Sequence, residues 1–423
     1  MILNYIDTLS FLVNSEEKDP KDKLYLILGN ESADLDSIIS SISYALLSQK
    51  LLSNKNTLPP SDPSYRNHEQ HTYYIPIIQI NRHDFSLRQE SDYVFTKCHI
   101  KSDQLVFLDD LKSFLPRLDL LEKKFELRLV LVDHNKLIEP WTGFSKNVDS
   151  IIDHHKDEGL YNAETRLIES VGSATSLVAL KFKEQWENQL KHNNDGDNDN
   201  DKSWNHELAK LLLAPILIDT GLLDISNGIT TVKDQEAAKF LSEVLYDNNN
   251  SGEIIPQDKN IFLEEYYNAI AEARSNVKSL PSIDILRKDY KEWVLSNSCS
   301  IGISSVIWYI EDWIKRDGID KLINVLKSYK QDHKLDLYIV LLSCKHPVEG
   351  FGREMIIYLE KSSPLVNKGF ISKLESSSMM KLKKLPFSSI NNENDVVIFY
   401  KQEELTLSRK KVSPIIRELI ENL

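Results

Sequence analysis

The stretch Lys23-Leu-Tyr-Leu-Ile-Leu-Gly29-Asn-Glu-Ser-Ala-Asp34-Leu-Asp36-Ser37 decides how the rest of the chain is read. A short apolar run ends in glycine, a polar loop follows, and the amphipathic segment from Ser37 to Lys50 comes next, which predicts strand, loop and helix. Further apolar runs at Tyr73 to Ile80, Leu105 to Leu108, Leu129 to Val132 and Ser150 to Ile152 are separated in part by helix-like segments such as Leu111 to Phe125. Their hydrophobicity is continuous rather than alternating, as in strands buried on both faces. An α/β fold with a parallel sheet and helices on both faces is therefore expected. Ser173 to Leu190 and His206 to Leu213 read as helices, with Ser173 placed to cap the first.

After Pro281 the pattern restarts with Trp293 to Leu295, Ser300 to Trp308, Leu335 to Leu342 and Asp395 to Tyr400, which predicts a second α/β domain with its own, mixed sheet. A chain of 423 residues has room for two domains. The expected division is 1–246 for the first domain, 247–285 for a linker and connecting helix, and 286–423 for the second. The Asn/Asp-rich segment His192 to Asp201 has nothing apolar to bury and is read as an insertion (191–202). It lacks the terminal glutamate and flanking apolar helices of a calcium loop.

Composition narrows the function. Hydrophobic residues make up 41% and charged residues 27%, as in ordinary globular proteins. The longest apolar run, Leu211 to Ile218, is too short for a membrane helix and contains Pro215. Cys98, Cys299 and Cys344 are widely spaced and show no CxxC pattern, which points to a reducing compartment, with the cytoplasm as the expectation. A net charge of −13 disfavours nucleic acid and anionic membranes as partners. No P-loop, GxGxxG turn, GxSxG elbow or HExxH motif occurs.

What does occur is a series of carboxylates and histidines just after apolar runs: Asp34 and Asp36, Asp133-His134-Asn135, Asp153-His154-His155, and Asp219. Singly, a DxD pair reads as a loop or cap, and a histidine after a strand as a hydrogen-bonded structural residue. Together, at the carboxyl edge of a parallel sheet, they converge. Oxygen and imidazole donors without thiolate suit Mg²⁺, Mn²⁺ or Co²⁺. Clustered carboxylates call for cations, and two metals point to hydrolysis at phosphorus.

In this order, Gly29 to Ser37, Val132 to Asn135, Asp153 to His155, Val171-Gly-Ser-Ala-Thr175 and Ile218-Asp219-Thr220 resemble the DHH phosphoesterase superfamily. Leu286 to Lys291 and Ser408 to Lys411 resemble its DHHA2 domain, shared by family II inorganic pyrophosphatases, fungal cytosolic exopolyphosphatases and prune-like proteins. The resemblance implies an active site in the cleft between the two domains. It also implies two divalent metal ions held by Asp34, Asp36, Asp133, His154 and Asp219, with Asp133 bridging. Asp133, Asp36 and His155 would be catalytic, and His155, Lys291, Arg409 and Lys410 would bind substrate. Pyrophosphatases carry a histidine ligand where this chain has Asn30, so Asn30 is expected as a weaker metal ligand. The Gly-Asn-Glu-Ser pattern, the intact Asp153-His154-His155 motif, Asn81 to Arg88 and the chain length favour the fungal exopolyphosphatase. The implied substrates are inorganic polyphosphate and short polyphosphates, and the implied form is a monomer. Pyrophosphatase, a prune-like phosphodiesterase and a catalytically weak partner-binding protein are the alternatives.

Overall fold

In the computed structural model, residues 4–15, 21–52, 70–113, 118–193, 199–247, 258–296, 298–346, 350–386, 390–391 and 394–423 are described. Six strands form the first sheet: β1 Asp22–Leu28, β2 Thr72–Ile78, β3 Val106–Phe107, β4 Phe125–Val132, β5 Val148–Asp153 and β6 Thr165–Ile168. Their order is β3-β2-β1-β4-β5-β6 and every pairing is parallel. Leu26, Ile27 and Leu28 of β1 and Leu129 to Val132 of β4 are almost wholly buried, as continuous apolar runs require.

From β1 the chain steps outward through β2 to β3, then returns to β4 and steps the other way through β5 to β6. The topological switch lies between β1 and β4, and the crevice outside their carboxyl ends is where such sheets bind ligands. Asp34 and Asp36 follow β1, and Asp133 follows β4 without an intervening residue.

Several elements differ from the sequence reading. Leu111 to Phe125, read as helical, forms a 3₁₀ turn at Asp110–Ser113 and an α-helix at Leu118–Lys124, with 114–117 outside the described residues, and Phe125 already opens β4. Edge strand β6 is half-buried and carries no apolar run to announce it. The helix Tyr5–Asn14, which buries Tyr5, Leu9, Leu12 and Val13, was not expected. The run from Leu211 belongs to one helix, Asp199–Asp219, with Pro215 inside it, so Asp219 closes a helix rather than a strand. Of the Asn/Asp-rich insertion, 194–198 lies outside the described residues, as does 248–257 of the expected linker.

The chain divides into two units, Met1–Arg274 and Ser275–Leu423. The second holds a mixed sheet of β7 Tyr290–Val294, β8 Ser300–Val306, β9 Leu337–His346, β10 Gly350–Glu360, β11 Leu382–Lys384, β12 Ile390–Asn391 and β13 Asp395–Gln402. β8 and β9 are parallel and the other pairs antiparallel. The sequence reading names no strand at β10, yet it is central. Ile356 and Tyr358 join the core on one face, and Met355, Ile357 and Leu359 that on the other, with Val412, Ile416 and Ile420 of the helix Arg409–Glu421. Cys98 and Cys299 are free thiols. Among the described residues no helix is long and apolar enough to cross a membrane.

Gly29 marks where β1 hands over to the helix Leu35–Leu47. A Cβ there would lie 2.5 Å from Ser37 Oγ and 3.1 Å from the Ser37 carbonyl oxygen. That hydroxyl also accepts the Asn30 N–H at 2.6 Å. Gly29→Ala is expected to destabilise the protein by about 1–3 kcal/mol through overpacking. Urea denaturation checks this, and an unchanged midpoint would show that the helix start yields freely.

Candidate metal centre

Local folding delivers each side chain for an identifiable reason. Asp34 caps the Leu35–Leu47 helix by accepting the Ser37 N–H at 3.1 Å. Asp36, in the first turn, points instead to the start of the helix Ala174–Asn193. It accepts Ser173 Oγ at 2.7 Å, the N–H groups of Ala174 and Thr175 at 2.6 and 2.9 Å, and Thr175 Oγ1 at 2.5 Å. A helix N-terminus offers unpaired N–H groups to an anion, which suits a buried carboxylate. Most of these bonds fall on Oδ1. Oδ2 takes only the Ala174 N–H and lies 3.9 Å from His154 Nε2.

Asp133 ends β4 in the left-handed region (φ +60°), where few non-glycine residues sit. It is buried, with Oδ1 3.1 Å from His154 Nε2 and 3.7 Å from His155 Nδ1. His154 gives its Nδ1–H to the Val171 carbonyl at 2.9 Å. A carbonyl can only accept, so the tautomer is fixed and the lone pair of the neutral ring lies on Nε2, as in metal-binding histidines. His155 gives its Nδ1–H to Asp153 at 2.8 Å, and 58% of its side chain is exposed. Asp153 is buried. Burial works to raise its pKa, but hydrogen bonds from His155 and Asn135 outweigh it and hold the carboxylate below its ordinary value.

Charge crowding is the electrostatic signature of the site. Burial, then the Asp36 charge, raises Asp133 to about 7 against the opposing His154. Burial, then Asp36 and Asp34, raises Asp219 to about 9. Asp34 is raised by burial and then by Asp36. Burial pulls His154 down, yet its contacts with Asp133, the Asp36 charge and the Val171 carbonyl carry it up to about 10. Asp219 Oδ2 is buried without a hydrogen-bond donor, and Asp133 Oδ1 faces the rings of His154 and His155. One ligand atom from each of Asp133, His154 and His155 lies within 4.8 Å of the others. Carboxylate oxygens crowded around an imidazole nitrogen that can give up its proton fit hard divalent cations.

Asn30, expected as a ligand, is placed differently. Its Oδ1, the atom through which an amide would ligate, accepts the N–H groups of Ser32 and Ala33, both at 3.0 Å, and Ser32 Oγ at 2.8 Å. Its Nδ2 donates to Asp133 Oδ2 at 2.6 Å. Asn30 thus steers Asp133 from the loop of β1.

The first unit brings together Asn30, Asp34, Asp36, Asp133, His154, His155 and Asp219. Lys291, Arg409 and Lys410 belong to the second unit. There Arg409 opens the Arg409–Glu421 helix and is held by Asp289, through its carboxylate at 2.7 Å and its carbonyl at 2.8 Å. Lys291 on β7 and Lys410 are exposed. Arg82 is structural: it pairs with Asp110, donates to the carbonyls of Ser102 and Leu105 and lies over Phe107. Arg88 braces the β1 loop through the carbonyls of Ser32 and Ala33.

Asp234 is a supporting residue that the sequence reading passed over. Asp234 is fully buried and accepts Gly172 N–H at 2.9 Å, Ser176 Oγ at 2.7 Å, and the N–H and hydroxyl of Thr231 at 2.8 and 2.7 Å. It clamps the turn that carries Ser173 to Asp36. In sequence it is one acid among many in a helix, so no local signal marks it.

Two family models match the chain. The N-terminal domain of the DHH family matches residues 25–216 and the DHHA2 domain matches residues 268–419. The chain belongs to the DHH family, in the branch whose members carry a DHHA2 domain behind the DHH domain. Among its relatives, a Schizosaccharomyces pombe protein named as a candidate exopolyphosphatase is 29% identical over 98% of this chain and 95% of its own length. The rat Exopolyphosphatase PRUNE1 is 25% identical over 94% of this chain and 75% of its own. A probable manganese-dependent inorganic pyrophosphatase of Thermotoga maritima is 25% identical over 67% of this chain and 46% of its own.

The raised carboxylates predict a pH-dependent response to metal. Asp133 and Asp219 titrate higher in the folded than in the unfolded chain, so their protonation stabilises the fold at low pH. That contribution is lost as pH rises through about 7 and about 9 respectively. The raised His154 has the same sign. Metal-free protein is therefore expected to melt lower at pH 8.5 than at pH 6 (roughly bracketing the first of these titrations), and the rise in Tm given by Mn²⁺ is expected to grow over that interval. Melting curves in EDTA and in Mn²⁺ decide it, and a metal-induced shift independent of pH would mean that these carboxylates do not hold the ion.

Proposed function

We propose that the protein is an exopolyphosphatase that hydrolyses the terminal phosphate of linear polyphosphate and releases orthophosphate. The observation that carries this reading is the convergence of Asp133, Asp36, His154 and Asp219 at the switch point of the sheet, with carboxylate oxygens crowded around His154 Nε2. The exopolyphosphatase names of the relatives support the choice of substrate. Asp34, Asp36, Asp133, His154 and Asp219 would hold two divalent cations, Mg²⁺ or Mn²⁺ with Co²⁺ as a substitute, which when bound neutralise phosphoryl oxygens and make a water nucleophilic.

The protein's own residues have separate tasks. Asp133 lies deepest and would serve both cations; Asn30 and the backbone of β4 fix its direction. The Val171 carbonyl keeps the His154 lone pair on Nε2. His155, oriented by Asp153, presents its exposed ring as donor to the oxygen that leaves with the shortened chain. From the second domain, Lys291, Arg409 and Lys410 would hold phosphates farther along the chain, and closure of the two domains over substrate would exclude water. We take the protein to be a cytoplasmic monomer acting on neither nucleic acid nor membrane. The net charge of −13 and the scattered cysteines support that reading.

Asp133→Asn keeps the volume and removes the shared charge, so activity on polyphosphate is expected to fall by at least ~3 kcal/mol in transition-state stabilisation. Turnover, metal content and Tm measured together decide the matter: near-normal turnover in a folded variant would remove Asp133 from the reaction.

The family II pyrophosphatase relative favours a second reading, which Asn30 separates from the first. Asn30→His replaces an amide donor facing Asp133 with a ring that can offer a lone pair. The variant is expected to bind Mn²⁺ more tightly and to shift its rate ratio from tripolyphosphate toward pyrophosphate. Titration with Mn²⁺ and assays on both substrates check this. If neither quantity moved, Asn30 would play no part in substrate choice.

A further inference from the structure

Strand register in the second unit collects cations on one face at one end of the sheet. β7 is antiparallel to β8, β8 parallel to β9, and β10 antiparallel to both β9 and β13. The starts of β7 and β10 and the ends of β8, β9 and β13 therefore share an edge. Ile303 and Met355 face the Arg409–Glu421 helix. Lys291 pairs with Ile303, and Arg353 stands two residues before Met355, so the pleat puts both on that face. The helix begins at the same edge, because β13 ends at Gln402, opposite Arg353, and only 403–408 intervene.

Arg353 differs from six of the other arginines. Arg82, Arg128, Arg166, Arg287, Arg316 and Arg409 each face a carboxylate. Arg353 pairs with none among the described residues. Its Nε donates to the Leu405 carbonyl at 2.7 Å and its guanidinium lies 5.0 Å over the ring of Phe351, itself 47% exposed. Burial lowers its pKa with no anion to offset it. The lysines of neighbouring β11 and the turn before it are already spent on ion pairs, Lys381 with Glu404, Lys383 with Glu403 and Lys384 with Glu375. A guanidinium held by its Nε and stacked on a ring leaves its two Nη groups as a preset fork for phosphate oxygens.

We propose that Arg353 is a distal phosphate-binding residue, holding phosphoryl groups of a polyphosphate chain beyond those near Lys291 and Arg409. The inference rests on the polyphosphate reading above. Through Ile303 and Ile339, Lys291 is level with Ile357 of β10, so Arg353 lies three strand spacings across and four residues along, roughly 20 Å away at ~4.8 Å per spacing and ~3.4 Å per residue. Pyrophosphate cannot span that distance and a longer chain can, so Arg353 selects for chain length.

The test uses the full chain with Arg353→Ala and Arg353→Lys. Two readouts are taken: kcat and KM on tripolyphosphate and on long-chain polyphosphate, and calorimetric binding of long-chain polyphosphate in EDTA at two salt concentrations. For Arg353→Ala the long-chain KM is expected to rise about tenfold with kcat within about twofold, and tripolyphosphate kinetics are expected to stay unchanged. Binding in EDTA should weaken by a similar factor with a shallower salt dependence, and the lysine variant should recover part of it. Equal losses on both substrates, unchanged long-chain binding, or a fall in Tm shared by both variants would overturn the assignment and leave Arg353 a brace for the 403–408 loop. If the wild type hydrolysed neither polymer, the proposed activity would fail. The calorimetric arm would still decide Arg353, a tenfold loss supporting it and an unchanged affinity overturning it.

Discussion

The arrangement depends on one buried carboxylate. Asp36, in the first turn of the Leu35–Leu47 helix, is taken up by Ser173, Ala174 and Thr175, more than 130 residues away in the chain. Without it, the N-terminus of the Ala174–Asn193 helix would lack its counter-charge. Its own position is held from behind, since Asp234 grips Gly172, Ser173 and Ser176. Gly172 has no room for a side chain there: a Cβ would meet Thr220 Cγ2 at 2.6 Å, next to Asp219. Sheet edge, two helices and the Asp219 turn are thus locked together by acceptors and donors that have no other partners to choose. Asp36, Asp133 and Asp234 are each fixed by protein contacts made before any cation is considered.

Much of this was legible in the sequence because it rests on periodicity and on residue type. The β1 run with its terminal glycine, the buried runs of β4 and β5, and the acids and histidines directly after them specify a parallel sheet and its ligand edge. What was not legible depends on tertiary context. β6 is a half-buried edge strand without a hydrophobic pattern, and Leu118–Lys124 breaks into β4 at Phe125 because pairing with β1 overrides local helix preference. Asp219 reads as the end of an apolar run, and only packing reveals that the run is a helix.

Asn30 shows the same limit at the scale of one side chain. Residue type alone suggested a neutral oxygen donor. The direction of the amide is set by Ser32 and Ala33, whose N–H groups claim the oxygen and turn the nitrogen toward Asp133. The position at which a ligand was expected is used instead to orient the Asp133 carboxylate. The basic residues follow a similar rule. Arg82, Lys383 and Lys384 are equal to Arg353 in charge, yet each is paired with an acid.

The left-handed backbone at Asp133 has a consequence for how this sequence can change over time. At φ +60° the residues that sit with least strain are glycine, asparagine and aspartate. Drift at this position is thereby channelled: most replacements would be removed for folding poorly, whereas asparagine or glycine would leave a well-folded protein that has lost its central charge. A lineage in which catalysis no longer mattered would be expected to keep its architecture and record the change as an amide at the end of β4.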